Sequence, residues 1–540
     1  VTIHEEALSG SLPPDVAEAA RELVDGLVSQ PWGQVSPSIY ETGRLVTLAP
    51  WLAGHVRRVE YLLSEQRADG GWGGPGGYAL APTLSAIEAI LVTLRRRDGR
   101  PEDALEPGPA PADLATAAGR GLGVLSSWLR GPAAVAVPDM PAVELIVPGL
   151  IDAVNEHLAA LRDDGFSDLG PWCGGEPLRP PRGMDGAALA VIRSRLRSGA
   201  AVPEKLLHAL EVAGDAAAGA DTVRPERTGT VGASPAATAA WLAGRTPPAP
   251  GDPARRYLET VAERHGGPVP CGLPVTVFER AWVLAWLLRA GIEPAVPAEL
   301  VESLTALMGS AGTPAAAGLP PDADTTAGAL YALSLAGAPL PPDPLWAYET
   351  KTHFCTWQGE NGLSVSTNAH VLEAFGRFLE IGAAHAGSRP RYAATVGKVA
   401  AWLRAQQEAD GSWLDRWHAS PYYATACCAP ALDRFDGERS ATAVRRAARW
   451  VVATQRPDGS WGRWHGTAEE TAYAMQTLLL TRAGGDGGCR EAVRRGRAYL
   501  LRSAGRAEDP PLWHDKDLYL PKAIVRAAVL AALHLARRSR

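Results

Sequence analysis

The chain has 540 residues, 46% of them hydrophobic, with 53 Lys plus Arg against 59 Asp plus Glu and a formal net charge of -6. That length exceeds one ordinary core and predicts two or more domains. No basic field is present to recruit nucleic acid or an anionic membrane. Arg, Glu, Gly and Pro interrupt the apolar stretches before any reaches the 18 uninterrupted residues that would predict a transmembrane segment.

From the N-terminus, VTIHEEALSG carries Glu5 and Glu6 where a signal peptide needs a basic region and then an apolar run, which predicts a cytoplasmic protein. A turn sentence, QRADGGWGGP, begins at Gln66 after a helical pattern. Gly and Pro punctuate 104–112 and 245–252, and between and after them ATAAWLAG (237–244) and FERAWVLAWLLRAG (278–291) carry apolar residues at three- and four-residue spacing. PDADTTAGAL follows at 321–330, then more punctuation at 337–343. The turn sentence returns as QQEADGSWLDRW from Gln406 and QRPDGSWGRW from Gln455, with the helical AVRRAARWVVATQ (443–455) between them. YLPKAIVRAAVLAALHLAR (519–537) supplies a last helix.

No long train of alternating strand segments occurs, so the fold class is all-α. Short helices joined by a recurring turn favour stacked hairpins or an α/α barrel. In each repeat the Asp-Gly turn ends a helix, the tryptophan folds back as a brace, and a glutamine pairs with backbone groups that the turn exposes. Six cysteines, at 173, 271, 355, 427, 428 and 489, form no CxxC pair and read as reduced thiols.

PDADTTAGAL poses the chemical question. Pro320 and Pro321 discourage helix continuation, so a helix begins next, with Asp322 at its N-cap and Asp324 in its first turn. One reading is helix capping alone. The other is a carboxylic acid kept protonated by an apolar enclosure and a neighbouring like charge, ready to protonate an alkene. Burial would hold the proton, while the helix N-terminus would favour the conjugate base and so ease its release. Asp324 is the better donor, with Asp322 orienting or polarising it.

The companions of this motif favour the second reading. DADTTA (322–327), SVSTNAHVLEAF (364–375), DGSWLDRWHASPYYAT (410–425), DGSWGRW (458–464) and PLWHDKDLYLPKAIV (511–525) together resemble the class II terpene cyclases, which start cyclisation by proton transfer. AVELIVPGL (142–150), KLLHALE (205–211) and GTVGASPAATAAWL (229–242) extend the resemblance over nearly the whole chain. DADTT departs from the family's commoner DxDD by placing Thr325 where the last acid often stands, and it keeps the usual donor at Asp324.

The resemblance implies two α/α-barrel domains in a βγ arrangement, with γ (46–289) inserted into β (1–45 and 290–540) and the active cavity between them. It implies a linear prenyl diphosphate substrate, with the C20 compound geranylgeranyl diphosphate favoured over C15 farnesyl diphosphate, and a bicyclic product that retains its diphosphate. Asn368 is the implied hydrogen-bond partner of Asp324, and His208 the implied terminating base. Trp357, Trp417 and Tyr422 are candidates to stabilise cations through their ring faces. Lys516 and Arg280 are candidate diphosphate ligands, with salt bridges at helix ends as the other reading. Glu144 would help Mg2+ organise the phosphate end. A monomer or homodimer is expected. Asp163, Asp164 and Asp168 do not spell DDxxD and read as a loop, so no motif for ionising the diphosphate is found. Competing assignments are a squalene-type triterpene cyclase, a drimenyl-type farnesyl diphosphate cyclase, and a non-catalytic α/α-repeat scaffold.

Overall fold

The computed structural model describes residues 16–97, 108–130, 136–161, 168–243, 248–360, 362–485, 487–504 and 509–538. Glu5, Glu6, Asp163 and Asp164 lie outside these residues, and Asp168 stands in a turn, bonded to Thr116.

Helix packing closes two separate rings. After α1 (Val16–Ser29), the chain builds a ring from α2 (Ile39–Leu48), α3 (Leu80–Arg97), α4 (Val143–Ala160), a kinked 3-10 stretch (Glu204–Ala217) and α5 (Pro235–Leu242), each packed on the next and α5 on α2. It then returns to a six-helix ring of α6 (Thr276–Arg289), α7 (Ala323–Leu335), α8 (Val365–Glu380), α9 (Pro421–Phe435), α10 (Ala468–Leu479) and α11 (Lys522–Arg538), which closes where α11 meets α6. Outer helices pack against both rings, α1 among them on the second. The architecture is therefore the expected double α/α barrel. The expected edges at 45/46 and 289/290 are displaced. The first would cut α2, whose Tyr40 and Val46 belong to the inserted barrel's core, and the second would assign α6 to that barrel. Trp282, Leu284 and Leu287 of α6 instead lie in the core shared with α1, α7 and α11.

Residues 76–96 are apolar and long enough to span a bilayer, but 89% of that window is buried inside the inserted barrel. None of the six cysteines forms a disulfide.

The recurring turn has one physical design used three times. Gln66, Gln407 and Gln455 each donate from Nε2 to the carbonyl of the turn glycine (Gly70, Gly411, Gly459) and to a carbonyl of the second α-helix further on (Ala117, Ala443, Ala492), at 2.8–3.0 Å. Trp72, Trp413 and Trp461 are fully buried and donate from Nε1 to Leu62, Leu403 and Val451. The three glycines have φ of 97°, 106° and 91°, and a Cβ on any of them would fall within 2.9 Å of an arginine carbonyl (Arg120, Arg446, Arg495) on the second α-helix along the chain. Only glycine meets both demands. Burying each indole contributes on the order of 5 kcal/mol by area.

Among the described residues the one sheet is the hairpin β1 (Trp513–His514) and β2 (Leu518–Tyr519), with Trp513 opposite Tyr519 and His514 opposite Leu518. Its turn, 515–517, ties the barrels together. Asp517 Oδ2 accepts from Ser38 Oγ and from the Ile39 and Tyr40 amides, capping α2.

Candidate active site

A cavity, partly open to solvent, lies between the barrels. The inserted barrel contributes Lys205, His208, Ala233 and Gly272. The larger barrel contributes Phe278, Asp322, Asp324, Trp357, Trp417, Trp513 and Tyr519. Most of this wall is aromatic or aliphatic.

Asp322 is the N-cap of α7, as the two prolines predict. Its backbone is extended and its Oδ1 accepts from the Thr325 amide at 2.6 Å. Burial first, and the charge of Asp324 second, push its carboxyl up to about 7. The two threonines of DADTT serve as braces. Thr325 supplies the capped amide, and Thr326 Oγ1 accepts from the Thr313 amide at 2.9 Å, pinning the loop that leads into the acid pair.

Asp324 lies in the first turn of α7. Its Oδ1 is 2.8 Å from Nδ1 of His370. Burial works against a charged His370, but the Asp324 carboxylate outweighs it and holds the imidazole well above its ordinary range. Trp282 sets its indole edge-on against His370 at 4.9 Å and donates from Nε1 to the Tyr423 hydroxyl at 3.0 Å. Asp324 is thus backed by a buried histidine, itself held against the Trp282 indole.

Asn368 does not touch Asp324. It is fully buried, takes the Phe354 amide on Oδ1, and donates from Nδ2 to the carbonyls of Phe354 and Ser364, all at 2.9 Å. Residues two apart on α8 point about 200° apart, so one of them faces Asp324 and the other the loop at 354. His370 was within the segment SVSTNAHVLEAF, and its imidazole two residues beyond the asparagine is the signal that could have found it.

Trp357 and Trp417 both line the cavity, in edge-to-face contact at 5.3 Å. Tyr422 does not line it. Its ring packs on Trp450 at 4.7 Å, and the next residue, Tyr423, turns into the barrel core against Trp282 instead. Arg280 is likewise away from the cavity, donating to Ser303 Oγ and the Leu27 carbonyl between α6 and its outer neighbours. Lys516 is completely buried in the inserted barrel, 2.9–3.0 Å from Glu41, Glu211, Ser234 Oγ and the His208 carbonyl. Burial opposes its charge, but the two glutamates reverse that and keep it protonated. These contacts leave Lys516 a tie between barrels. Lys205 is the lysine the sequence reading missed: it is exposed at the cavity wall, 5.7 Å over the Trp357 ring.

His208 reaches the cavity with both ring nitrogens engaged, Nδ1 on the Gly232 carbonyl at 2.6 Å and Nε2 on Asp515 Oδ1 at 2.8 Å. Burial lowers its proton affinity and Asp515 raises it further, leaving a net rise. Glu144 is exposed in the first turn of α4, three residues after the cavity-lining Pro141. No group of three or more His, Cys, Asp or Glu able to hold a metal occurs among the described residues.

A half-buried aspartate backed by a buried histidine, opening on an aromatic cavity between two α/α barrels, fits a class II terpene cyclase, and comparison with known proteins bears this out. The family described as Squalene-hopene cyclase C-terminal domain matches residues 364–519. The chain is 44% identical over 524 residues to an ent-copalyl diphosphate synthase of Streptomyces sp. (strain KO-3988), covering 96% of each chain. It is 41% identical over 533 residues to a labda-7,13-dienyl diphosphate synthase of Streptomyces clavuligerus, covering 97% of this chain and 94% of that one. The solved structure of ent-copalyl diphosphate synthase from Streptomyces platensis superimposes with a TM-score of 0.90 at 45% identity, covering 97% of this chain and all of that one. The chain belongs to the class II terpene cyclases, alongside the bacterial copalyl diphosphate synthases, and is an enzyme of that class.

Proposed function

We propose that the protein converts geranylgeranyl diphosphate to a bicyclic prenyl diphosphate of the copalyl kind, with the diphosphate retained. The observation that carries this reading is Asp324: one carboxyl oxygen is bonded to His370, and the residue lines an aromatic cavity. The names of the relatives at 41–44% identity support the diphosphate product.

Asp324 delivers its proton to the terminal alkene, and the His370 imidazolium and the α7 N-terminus stabilise the carboxylate left behind. Asp322 holds a second carboxyl beside it. The cavity keeps the chain folded so that each alkene meets the cation formed before it. Phe278, Trp357, Trp417 and Trp513 present rings to those cations.

At the diphosphate end, Lys205 takes the role expected of Arg280 and Lys516. Were Mg2+ to accompany the substrate, Glu144, exposed beside the cavity-lining Pro141, would be the carboxylate to hold it. When bound, the ion neutralises diphosphate charge; this chain's part is to place the carboxylate and lysine near the cavity mouth.

The test is purified protein with geranylgeranyl diphosphate and Mg2+, followed by dephosphorylation and mass and NMR analysis of the skeleton. A bicyclic diphosphate is expected. Asp324→Asn should keep the fold and lose at least about a thousandfold in turnover; near-normal turnover would sink the donor assignment.

A further inference from the structure

We propose that Asp515, rather than His208, takes the proton that ends the cascade; the proposal rests on the function proposed above. Asp515 opens the turn of the β1–β2 hairpin and lines the cavity on the side of the inserted barrel. Its two oxygens are in different states. Oδ1 carries both hydrogen bonds, from His208 Nε2 at 2.8 Å and from the Lys516 amide at 2.7 Å. Among the described residues Oδ2 carries no hydrogen bond, and it looks toward the bare backbone of Gly272, where a Cβ would stand 3.3 Å from Oδ2 and 3.7 Å from His208 Cε1.

His208 has no lone pair to offer. Its Nδ1 faces a carbonyl, which can only accept, so Nδ1 carries hydrogen. Nε2 faces a carboxylate and carries the second hydrogen. His514, the other histidine of the cavity wall, donates from Nδ1 to the Arg416 carbonyl, and its Nε2 is fully buried. A C–H bond beside a cationic carbon is a far stronger acid than any carboxylic acid, so the terminating group needs placement more than basicity. A carboxylate oxygen with free lone pairs in an aromatic wall meets that need, and its charge also steadies the cation that forms next to it.

In the step, the C–H bond adjacent to the cationic carbon breaks, its electron pair becomes the new π bond, and the proton lands on Asp515 Oδ2. Water removes that proton as product leaves, and solvent restores the proton that Asp324 gave. His208 is then a positioning residue, which fixes Oδ1 and turns Oδ2 into the cavity.

Product analysis of three variants on geranylgeranyl diphosphate tests this. Asp515→Asn should consume substrate within about tenfold of wild type, because protonation by Asp324 comes earlier, while the wild-type alkene gives way to alkene isomers or water-captured alcohols. Gly272→Ala leaves the ion pair intact and puts a methyl against Oδ2, so it should redirect products too, and it decides the matter if Asp515→Asn does not fold. An unchanged product spectrum in the folded variants would overturn the proposal, as would a His208→Gln protein that redirects products more than Asp515→Asn. Failure of the underlying reading looks different: wild-type protein would then leave geranylgeranyl diphosphate uncyclised, which overturns both.

Discussion

Replacing His370 with alanine removes the partner of the proton donor while leaving Asp324 in place. The pair is 2.8 Å apart, with side-chain exposures of 9% for His370 and 16% for Asp324. A hydrogen bond to a charged group contributes about 1.5–3 kcal/mol. Losing it as the Asp324 carboxylate forms raises the barrier by up to that much, so the rate should fall about 10- to 150-fold. His370→Asn, which keeps a neutral donor, should lose less. Single-turnover conversion of geranylgeranyl diphosphate measures the protonation step apart from product release, and near-ultraviolet circular dichroism confirms that the Trp282 packing survives. A folded His370→Ala protein within about twofold of the wild-type rate would refute the idea that the imidazolium sets the acid's strength.

Asn368→Ala should behave in the opposite way: it breaks three buried hydrogen bonds to the 354 loop and α8, costing about 2–4 kcal/mol in denaturant unfolding, yet where folded it should protonate substrate at nearly the wild-type rate. A large rate loss in folded protein would restore it as the donor's partner. Lys516→Met leaves Glu41 and Glu211 buried without their cation and should lower stability by about 3–5 kcal/mol; an unchanged unfolding midpoint would refute the tie between barrels. Burial raises the carboxyls of Glu279, Asp322 and Glu470 to about 7 and that of Glu469 to about 8, so the folded chain binds more protons than the unfolded one between the ordinary carboxylate range and those values. Stability should therefore fall as pH rises from about 6.5 to about 8.5. The lowered His418 and His514, near 3 and 4, oppose this trend only below their ordinary value of 6.5. Equal denaturant midpoints at the two pH values would contradict that sign. Turnover should also change as pH rises through about 7, where burial leaves the Asp322 carboxyl beside the donor to ionise.

Much of this enzyme was legible in one dimension because the signals were local. Helical periodicity, two prolines before a carboxylate, and a glutamine, aspartate, glycine and tryptophan at fixed offsets each act over a few residues, so they specify helix, cap and turn wherever the chain lies. They predicted the all-α class, the N-cap at Asp322 and the bracing tryptophans. Trp357 and Trp417, expected at the cavity, stand in its wall.

The tertiary structure decided which face of each element looks inward. Asn368 and His370 are equally polar and nearly adjacent, and only the packing of α8 between α7 and α9 turns the histidine toward Asp324. Tyr422 and Tyr423 part company for the same reason. Asp515, Lys516 and Asp517 are consecutive charges in a two-strand hairpin, yet one faces the cavity, one is buried between glutamates from the other barrel, and one caps α2. A side chain's chemistry is written in the sequence, but its partners come from residues up to 504 positions away, and a charge becomes an acid, a tie or a cap according to what is folded against it.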